Sequence, residues 1–139
     1  MSRFAKIFIR FHTVIYRLTR GRVMGSFGRA RVLLLTTTGR KSGKKRTTPL
    51  LYLEEGGLYF VVGSSGGSPK HPAWYLNLTA NPASTLQIQD QTVSATAETV
   101  VDNEKKRLWN RFNEIYPAYN TYQKKTERDI PVVKLTPQS

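Results

Sequence analysis

The sequence predicts a mainly β protein, in which six short antiparallel strands close into a small barrel with flanking helices. Runs rich in apolar and β-branched residues, which are typical of strands, cover residues 31–38, 47–54, 58–64, 84–90, 92–100 and 131–135. Tight-turn sequences separate neighbouring runs at Glu55-Gly56-Gly57 and at Asp90-Gln91, which indicates antiparallel hairpins. Two helical segments interrupt the series of strands, so the helices are expected to flank the barrel.

The first 20 residues predict a basic amphipathic helix, because apolar residues recur at helical spacing and arginines line another face. Charges are too frequent for a transmembrane span, and no cleavage site follows an uninterrupted apolar core. Two interpretations stay open: the helix lies on an anionic membrane surface, or it packs its apolar face on the domain. We divide the chain into residues 1–29, this helix with a glycine-rich connector, and residues 30–139, the barrel domain.

The later helices are predicted from the residues that begin them. A helix over residues 71–82 has Pro72 at the expected first position. A second helix is expected to have Asp102 as its N-cap and to place its apolar residues on one side. Pro117 is expected to end it and to begin a further short helix.

Composition and charge narrow the range of functions that this protein can have. The chain has 139 residues, enough for one domain, and its lack of cysteine excludes disulfide scaffolds, thiolate zinc sites and cysteine nucleophiles. Two histidines at distant positions predict no metal site. The net charge of +13 arises within residues 1–53, which hold 13 Lys or Arg and no acid. Such asymmetry predicts an anionic partner: nucleic acid, a membrane surface or a polyanionic small molecule.

The most basic stretch is GRKSGKKR, residues 39–46, between the first two strands. It is not the phosphate loop of nucleoside triphosphatases, because Gly39 and Gly43 are too close and Lys45 replaces the required Ser or Thr. A glycine-rich turn with adjacent cations can still present N–H groups and positive charge to a phosphate. The alternative is a basic hairpin tip that faces water.

A second stretch, VVGSSGGSPKHPAWYLNL, carries small residues from the end of a strand to the start of a helix. Small residues let a ligand approach the backbone closely, and N–H groups at a helix start attract anions. The alternative is an ordinary connection whose Trp74 and Leu78 belong to the core.

The third stretch places Tyr116, Tyr119 and Tyr122 three residues apart, on one face of a helical segment. Such a face forms a flat apolar wall for a planar ligand, or else a ridge that packs on the barrel. The sequence contains no nucleophile elbow and no paired carboxylates that suggest a catalytic cleft. An enzyme of this kind would take its chemistry from a cofactor.

Three segments together resemble the deazaflavin-dependent nitroreductase family: LLLTTTGRKSGKKRTTPLLYL, GGLYFVVGSSGGSPKHPAWYLNLTANP and YPAYNTYQKKTERDIPVV. Family members are FMN-binding split-barrel-like proteins that use coenzyme F420, an 8-hydroxy-5-deazaflavin with a phosphodiester and an oligoglutamyl tail. The resemblance implies a six-stranded antiparallel split β-barrel and an F420H2-dependent oxidoreductase. Its reaction would transfer hydride from the reduced deazaflavin to a quinone-like or nitroaromatic acceptor. A non-catalytic protein that binds the deazaflavin or FMN is the alternative.

The resemblance also implies which residues form the site, with no catalytic side chain and no metal ligand among them. Cofactor contact is implied for Arg40, Lys41, Ser42, Arg46, Thr47, Thr48, Pro49, Leu50, Leu51, Val62, Gly63, Ser64, Ser65, Ala73, Trp74, Tyr75, Leu76, Asn77 and Tyr119. Substrate contact is implied for Ser64, Tyr116, Tyr119 and Tyr122. Ser65 stands where nitroimidazole-activating relatives tend to carry lysine, so the resemblance to those relatives does not extend to this position.

The expected partner is therefore a small-molecule acceptor, with an anionic membrane surface as a further partner of residues 1–20. The expected location is the cytoplasm, peripherally at the inner face of the cell membrane. Specific nucleic-acid binding is not expected, because no aromatic residues interleave with the cations of residues 40–46. The sequence carries no signal for the oligomeric state.

Overall fold

The structure is a computed structural model that describes residues 26–27 and 30–138. In chain order the strands are β1 (Ser26–Phe27), β2 (Ala30–Thr38), β3 (Lys45–Glu55), β4 (Leu58–Val62), β5 (Ala83–Ile88), β6 (Gln91–Thr99) and β7 (Val132–Pro137). The helices are α1 (Ala73–Ala80), α2 (Asp102–Ile115) and α3 (Ala118–Lys124), and a short 3-10 turn covers Ser65–Gly67.

Six strands close into an antiparallel barrel, which confirms the predicted fold class. The strand order is β1-β2-β3-β4-β7-β6-β5, and β5 also pairs with β2. That last pairing joins Leu35 to Leu86 and closes the barrel. The short β1 lies within the predicted connector and pairs with the start of β2. Closure leaves no long unpaired edge among β2 to β7, which suits a small β domain.

Two hairpin turns follow from local residue chemistry. Gly56 and Gly57 join β3 to β4 with φ of +57° and +81°, the paired positive φ that a type I′ turn requires. The turn between β5 and β6 is Gln89-Asp90, one residue earlier than the predicted Asp90-Gln91. Gln89 takes the positive φ of +54° there, a conformation that sequence patterns assign to Gly or Asn and rarely to Gln.

The core has two parts, one on each face of the sheet. Inside the barrel lie Leu33, Leu35, Val61, Val133 and other apolar residues, with Trp74 and Leu78 of α1 packed against them. On the outer face of β3, β4 and β7 a second cluster is covered by α2 and α3. Because side chains alternate along a strand, Val61 points inward while Phe60 and Val62 point outward to the helices.

Two predicted helix starts are corrected. Pro72 is the N-cap of α1, and Ala73 is its first residue. Asp102 is the first residue of α2, and Val101 is the N-cap, with no side-chain capping bond. An N-cap needs extended backbone, which Val101 has (φ −131°, ψ 167°), whereas Asp102 has φ +57°. Pro117 precedes the short helix α3, as predicted.

The predicted helix over residues 1–20 lies outside the described residues. Among the helices of residues 26–27 and 30–138, none is long and apolar enough to cross a membrane.

Candidate functional site

The basic stretch forms a fixed loop between β2 and β3. The Gly39 N–H donates to the Lys44 carbonyl oxygen at 2.8 Å, and the Gly43 N–H donates to the Gly39 carbonyl at 2.8 Å. Gly43 has φ +71°, a conformation that favours glycine. A Cβ on Gly39 would lie 2.7 Å from Ser42 Oγ, so a larger residue there would require the Ser42 side chain to move. The loop therefore holds its cations on a defined backbone.

The cations of this loop are exposed and lack acidic partners among the residues that the structure describes. Arg40, Lys41 and Lys44 lie on the loop, while Lys45 and Arg46 already belong to β3. Lys45 Nζ donates to Thr38 Oγ1 across the hairpin at 2.9 Å. The ion pairs formed within the described part of the chain all involve other residues. The positive charge thus remains uncompensated, which suits an anionic ligand.

Asn77 of α1 anchors this loop. Its Oδ1 accepts hydrogen bonds from the Arg40 backbone N–H at 3.1 Å and from Arg40 Nη1 at 3.3 Å. Its Nδ2 donates to Thr37 Oγ1 at 3.1 Å. The residue is only 3% exposed. The side chain of Asn77 is therefore occupied in holding β2, the loop and α1 together, and its predicted cofactor contact stays a prediction.

The predicted cofactor residues of β3 lie on both faces of that strand. Leu50 packs against the cluster inside the barrel, whereas Leu51 packs against the outer cluster. By alternation Arg46 and Thr48 share the face of Leu50, while Thr47 and Pro49 share the face of Leu51. A ligand on one face of β3 therefore meets the side chains of only half of these predicted cofactor residues.

Arg128 organises the small-residue loop that follows β4. Its Nε donates to the Ser68 carbonyl at 2.8 Å, Nη2 to the Ser64 carbonyl at 2.8 Å, and Nη1 to the Gly63 carbonyl at 3.1 Å. The planar guanidinium can donate in three directions at once, which suits three carbonyls of one loop. Sequence reasoning missed this residue, because nothing in the spacing of TERDIP marks its arginine.

His71 completes this arrangement. Its Nδ1 lies 3.1 Å from Arg128 Nη1, and since the guanidinium can only donate, the neutral imidazole accepts. Burial, and then the Arg128 charge, lower the pKa of His71 below its ordinary value. The ring also lies against Tyr75, with centroids 4.9 Å apart.

The three tyrosines of the third stretch form one cluster. The ring centroids of Tyr116 and Tyr119 are 5.0 Å apart, and those of Tyr119 and Tyr122 are 6.3 Å apart. The hydroxyls of Tyr116 and Tyr122 are hydrogen-bonded at 2.8 Å. Tyr119 is only 6% exposed, whereas Tyr116 is 39% exposed. The wall that a ligand can reach is therefore formed by Tyr116 and Tyr122, with Tyr119 behind them.

The environments of Tyr119 and Tyr122 keep these two hydroxyls protonated. Burial, and then the neighbouring Tyr116 and Tyr122, raise the pKa of Tyr119. The hydrogen bond between the Tyr122 and Tyr116 hydroxyls, and then burial, raise the pKa of Tyr122. Both remain neutral hydrogen-bond donors at physiological pH.

Close packing joins the tyrosine helix to the small-residue loop. A Cβ on Gly67 would lie 2.8 Å from the Tyr122 carbonyl oxygen, so only glycine lets the two backbones approach this closely. Gln123 Nε2 donates to the Arg128 carbonyl at 2.8 Å, and Gln123 Oε1 accepts from the Ile130 N–H at 3.0 Å. The Gln123 side chain thereby holds the segment that presents Arg128.

The predicted site residues differ in exposure. Exposed ones are Arg40, Lys41, Ser42, Arg46, Ser65, Ala73 and Tyr116. Half-buried ones are Thr47, Thr48, Pro49, Leu50, Leu51, Ser64, Tyr75, Leu76 and Tyr122. Buried ones are Val62, Gly63, Trp74, Asn77 and Tyr119. The exposed and half-buried sets can meet a ligand with their side chains, whereas the cofactor contact of the buried set stays a prediction.

A cavity of about 290 Å³ lies between α1 and β6. Its lining includes Tyr75, Thr79, Glu98 and Thr99. Of the predicted site residues only Tyr75 lines it, and the Tyr75 hydroxyl lies 3.0 Å from Thr99 Oγ1. The lining of this cavity therefore includes neither the basic loop nor the tyrosine cluster.

The closed antiparallel barrel defines a split-barrel protein, and the basic loop and the tyrosine wall are its candidate ligand-binding features. The sequence model of the F420H(2)-dependent quinone reductase family matches residues 8–137. An F420H(2)-dependent quinone reductase of Mycobacterium tuberculosis is 42% identical over 132 residues, which span 92% of this chain and 89% of that protein. This chain therefore belongs to the F420H(2)-dependent quinone reductase family.

Two solved structures show the same relationship. A structure of an F420-H2-dependent reductase is 47% identical, with a TM-score of 0.69 over 75% of this chain and 92% of its own. A chain described as a domain-swapped dimer is 42% identical, with a TM-score of 0.71 over 90% of this chain and 95% of its own. Both likenesses extend over most of the barrel domain.

Proposed function

We propose that this protein is an F420H2-dependent oxidoreductase that transfers hydride from reduced coenzyme F420 to a quinone. Family membership is the basis of this proposal. The observation that carries it in the structure is the convergence of three separate stretches. Asn77 ties the basic loop to α1, and Arg128 ties the loop after β4 to the segment that follows the tyrosine helix.

The residues present fit the anionic half of the cofactor. The phosphodiester and the oligoglutamyl tail need cations that are not already paired, and Lys41, Lys44 and Arg46 are exposed without an acidic partner in the described part of the chain. Ser42 Oγ, which accepts from the Lys44 N–H at 3.2 Å, keeps its own proton for a phosphate oxygen. Exposed cations bind such groups in a salt-dependent manner.

The residues also fit a planar ring. When bound, reduced F420 supplies a hydride from its ring carbon, so the chain itself needs no acid–base pair. The backbone of Gly63 to Gly67 bears little side-chain bulk, which lets the ring approach it. Tyr116 and Tyr122 provide an aromatic wall with polar tips on the neighbouring segment.

The tyrosine pair can stabilise charge on a quinone oxygen. One of the two hydroxyls donates to the other, so the pair retains one O–H proton for an acceptor oxygen. The raised pKa of Tyr122 keeps the Tyr122 hydroxyl neutral at physiological pH, so the pair carries both of its protons. A donor already in place where negative charge develops lowers the barrier to transfer.

A fluorescence titration tests the choice of cofactor. Oxidised F420 and, separately, FMN are titrated with the full chain at several salt concentrations. We expect saturable binding of F420 that weakens with salt, and weaker or no binding of FMN. Failure to bind F420 at micromolar protein would contradict the proposal. Tight FMN binding with F420 excluded would favour the alternative of an FMN-binding split-barrel protein.

We also propose that residues 1–20 bring the enzyme to a membrane that holds the quinone, from the cytoplasmic side. The support is the sequence pattern alone: helical apolar spacing with arginines and no acid. Sedimentation with anionic liposomes, compared with zwitterionic ones, tests it on the full chain and on a chain lacking residues 1–20. We expect deletion to abolish sedimentation with anionic liposomes while activity with a water-soluble quinone persists. Equal sedimentation of both chains would contradict the membrane role.

A further inference from the structure

Arg128 shapes the loop after β4 through three backbone carbonyls. The carbonyls of Gly63, Ser64 and Ser68 all accept from one guanidinium. Arg128 has no acidic partner in the described part of the chain, so its charge is satisfied by backbone dipoles and by neutral His71. Hydrogen bonds from a charged donor are among the strong ones, so this contact fixes the loop more firmly than neutral bonds would.

The consequence concerns the N–H groups of the same peptide units. In a trans peptide the N–H points opposite to the carbonyl, so with the Gly63 and Ser64 carbonyls on Arg128, the N–H groups of Ser64 and Ser65 point away from it. Neither N–H donates to an acceptor within residues 26–27 and 30–138. Two adjacent donors therefore face the opposite side of the loop.

The local backbone has the form of an anion-binding concavity. Ser64 is right-handed helical (φ −77°, ψ −38°), and Ser65 follows with φ +45°. Successive residues of opposite hand direct neighbouring N–H groups to one point. A positive φ at a serine is unusual, and the surrounding contacts must hold it. The turn is closed by the Gly67 and Ser68 N–H groups, which donate to the Ser64 and Ser65 carbonyls at 2.9 and 3.1 Å.

We propose that Arg128 is a positioning residue, which holds the Ser64 and Ser65 N–H groups as paired donors to an electron-rich oxygen or nitrogen of the bound ring. This inference rests on the proposed function for the identity of that ring. Arg128 itself faces the other side of the loop and acts through the backbone. A lysine at this position keeps the charge but cannot reach three carbonyls with a planar fork.

The experiment compares Arg128→Lys and Arg128→Gln with wild type, and Arg107→Lys serves as the matched control. Arg107 pairs with Glu55 on the outer face of the barrel, at 2.9 Å. Amide hydrogen exchange is measured by NMR on the full chain without cofactor, and F420 binding is measured by fluorescence. In both Arg128 variants we expect the Gly67 and Ser68 amides to exchange about tenfold faster, with barrel amides such as Val61 and Val133 unchanged. F420 binding should weaken about 10- to 100-fold, and Arg107→Lys should match wild type.

Three results would overturn the inference. The first is wild-type exchange of the loop amides in Arg128→Lys and Arg128→Gln. The second is faster exchange throughout the barrel, which would make Arg128 a general stabiliser. The third is a loosened loop with unchanged F420 affinity. Failure of wild type to bind F420 would instead contradict the proposed function, and the exchange measurement would still decide whether Arg128 sets the loop.

Discussion

At the scale of single residues, the site combines side chains that meet the ligand with side chains that hold others in place. Lys41 and Arg46 are exposed and lack acidic partners in the described part of the chain, so they are free to pair with the tail of the cofactor. Asn77 and Arg128, by contrast, use their polar atoms within the protein. Substitutions of the ligand-facing side chains should change the affinity for F420 and its salt dependence. Substitutions of the supporting side chains should change the geometry of the loops.

Replacing both exposed cations tests whether these side chains meet the ligand. Lys41→Ala with Arg46→Ala should weaken F420 binding about tenfold at low salt and flatten its dependence on salt, because two screened charge contacts are lost. Lys105→Ala with Lys106→Ala, on α2, removes the same charge elsewhere and should bind like wild type. Fluorescence titrations at two salt concentrations measure both. Unchanged binding of the first variant would place the basic loop in solvent.

Tyr119 has a structural role, which is the packing alternative that its spacing left open. It lies 5.9 Å from Phe112 and 6.2 Å from Trp109, centroid to centroid, in the outer core. Tyr119→Ala should therefore lower the free energy of unfolding by about 3–5 kcal/mol, as for other large buried aromatics. Tyr119→Phe keeps the ring and should stay within about 1 kcal/mol of wild type. Urea denaturation measures both, and a small effect of the alanine change would contradict the core assignment.

At the scale of elements, the hairpin loop and α1 form one unit through Asn77. Asn77→Ala leaves the Thr37 hydroxyl and two Arg40 donors without their partner. We expect a loss of about 1–3 kcal/mol in the free energy of unfolding, because these groups are partly buried. We also expect weaker F420 binding, because the loop that carries Lys41 is no longer fixed.

Asn81→Ala is the matched control, since Asn81 lies at the exposed end of α1 and its Oδ1 accepts from the nearby Ala83 N–H at 3.1 Å. It should leave F420 binding unchanged. Urea denaturation measures the free energy of unfolding of both variants, and fluorescence titration measures their F420 binding. Equal effects of the two changes would show that Asn77 has no special link to the loop.

Strands, helices and turns could be predicted where the residue types of the segment itself determine its backbone conformation. The paired glycines fixed the turn between β3 and β4, and the alternating apolar residues fixed the strands of the barrel. The β5–β6 turn was displaced by one residue because Gln89 takes a positive φ that its residue type does not signal. The start of α2 was misplaced because an aspartate at a helix start resembles an N-cap whatever its backbone does.

Candidate site residues were predictable as stretches but not as contacts. The three stretches carry the composition of a binding site, and the tyrosines meet as their spacing implied. The bonds between stretches join residues far apart in the chain, such as Arg40 with Asn77 and Arg128 with Ser64. No periodicity reports such pairs, so no sequence pattern distinguishes Arg128 from neighbouring cations.

At the scale of the whole molecule, stability should decrease as the pH falls. The folded protein depresses the pKa of His71, so the unfolded chain takes up that proton first, near the ordinary value of 6.5. Hydrogen bonds from Arg107 and Arg111 depress the pKa of Glu55 below its ordinary value of 4.5. Both groups therefore stabilise the fold at higher pH. The contribution of His71 to the free energy of unfolding is lost as the pH falls below about 6.5, and that of Glu55 is lost below about pH 4.5.

Urea denaturation between pH 7.5 and pH 5 isolates the histidine. The free energy of unfolding should fall with pH in wild type, and the slope should be smaller in His71→Gln. Glu55→Gln should keep the wild-type slope in this range, because its window lies at lower pH. Parallel curves for wild type and His71→Gln would contradict a neutral His71 in the folded state.

The central claim is hydride transfer from F420H2 to a quinone, and its most direct test is reoxidation of the reduced cofactor. Purified full-length chain is mixed with F420H2 and a menadione-type quinone under anaerobic conditions, and the return of oxidised F420 is followed by its absorbance. We predict a rate that is proportional to protein, saturates with quinone and exceeds the rate without protein. Binding of F420 with no rate above that background would contradict the claim.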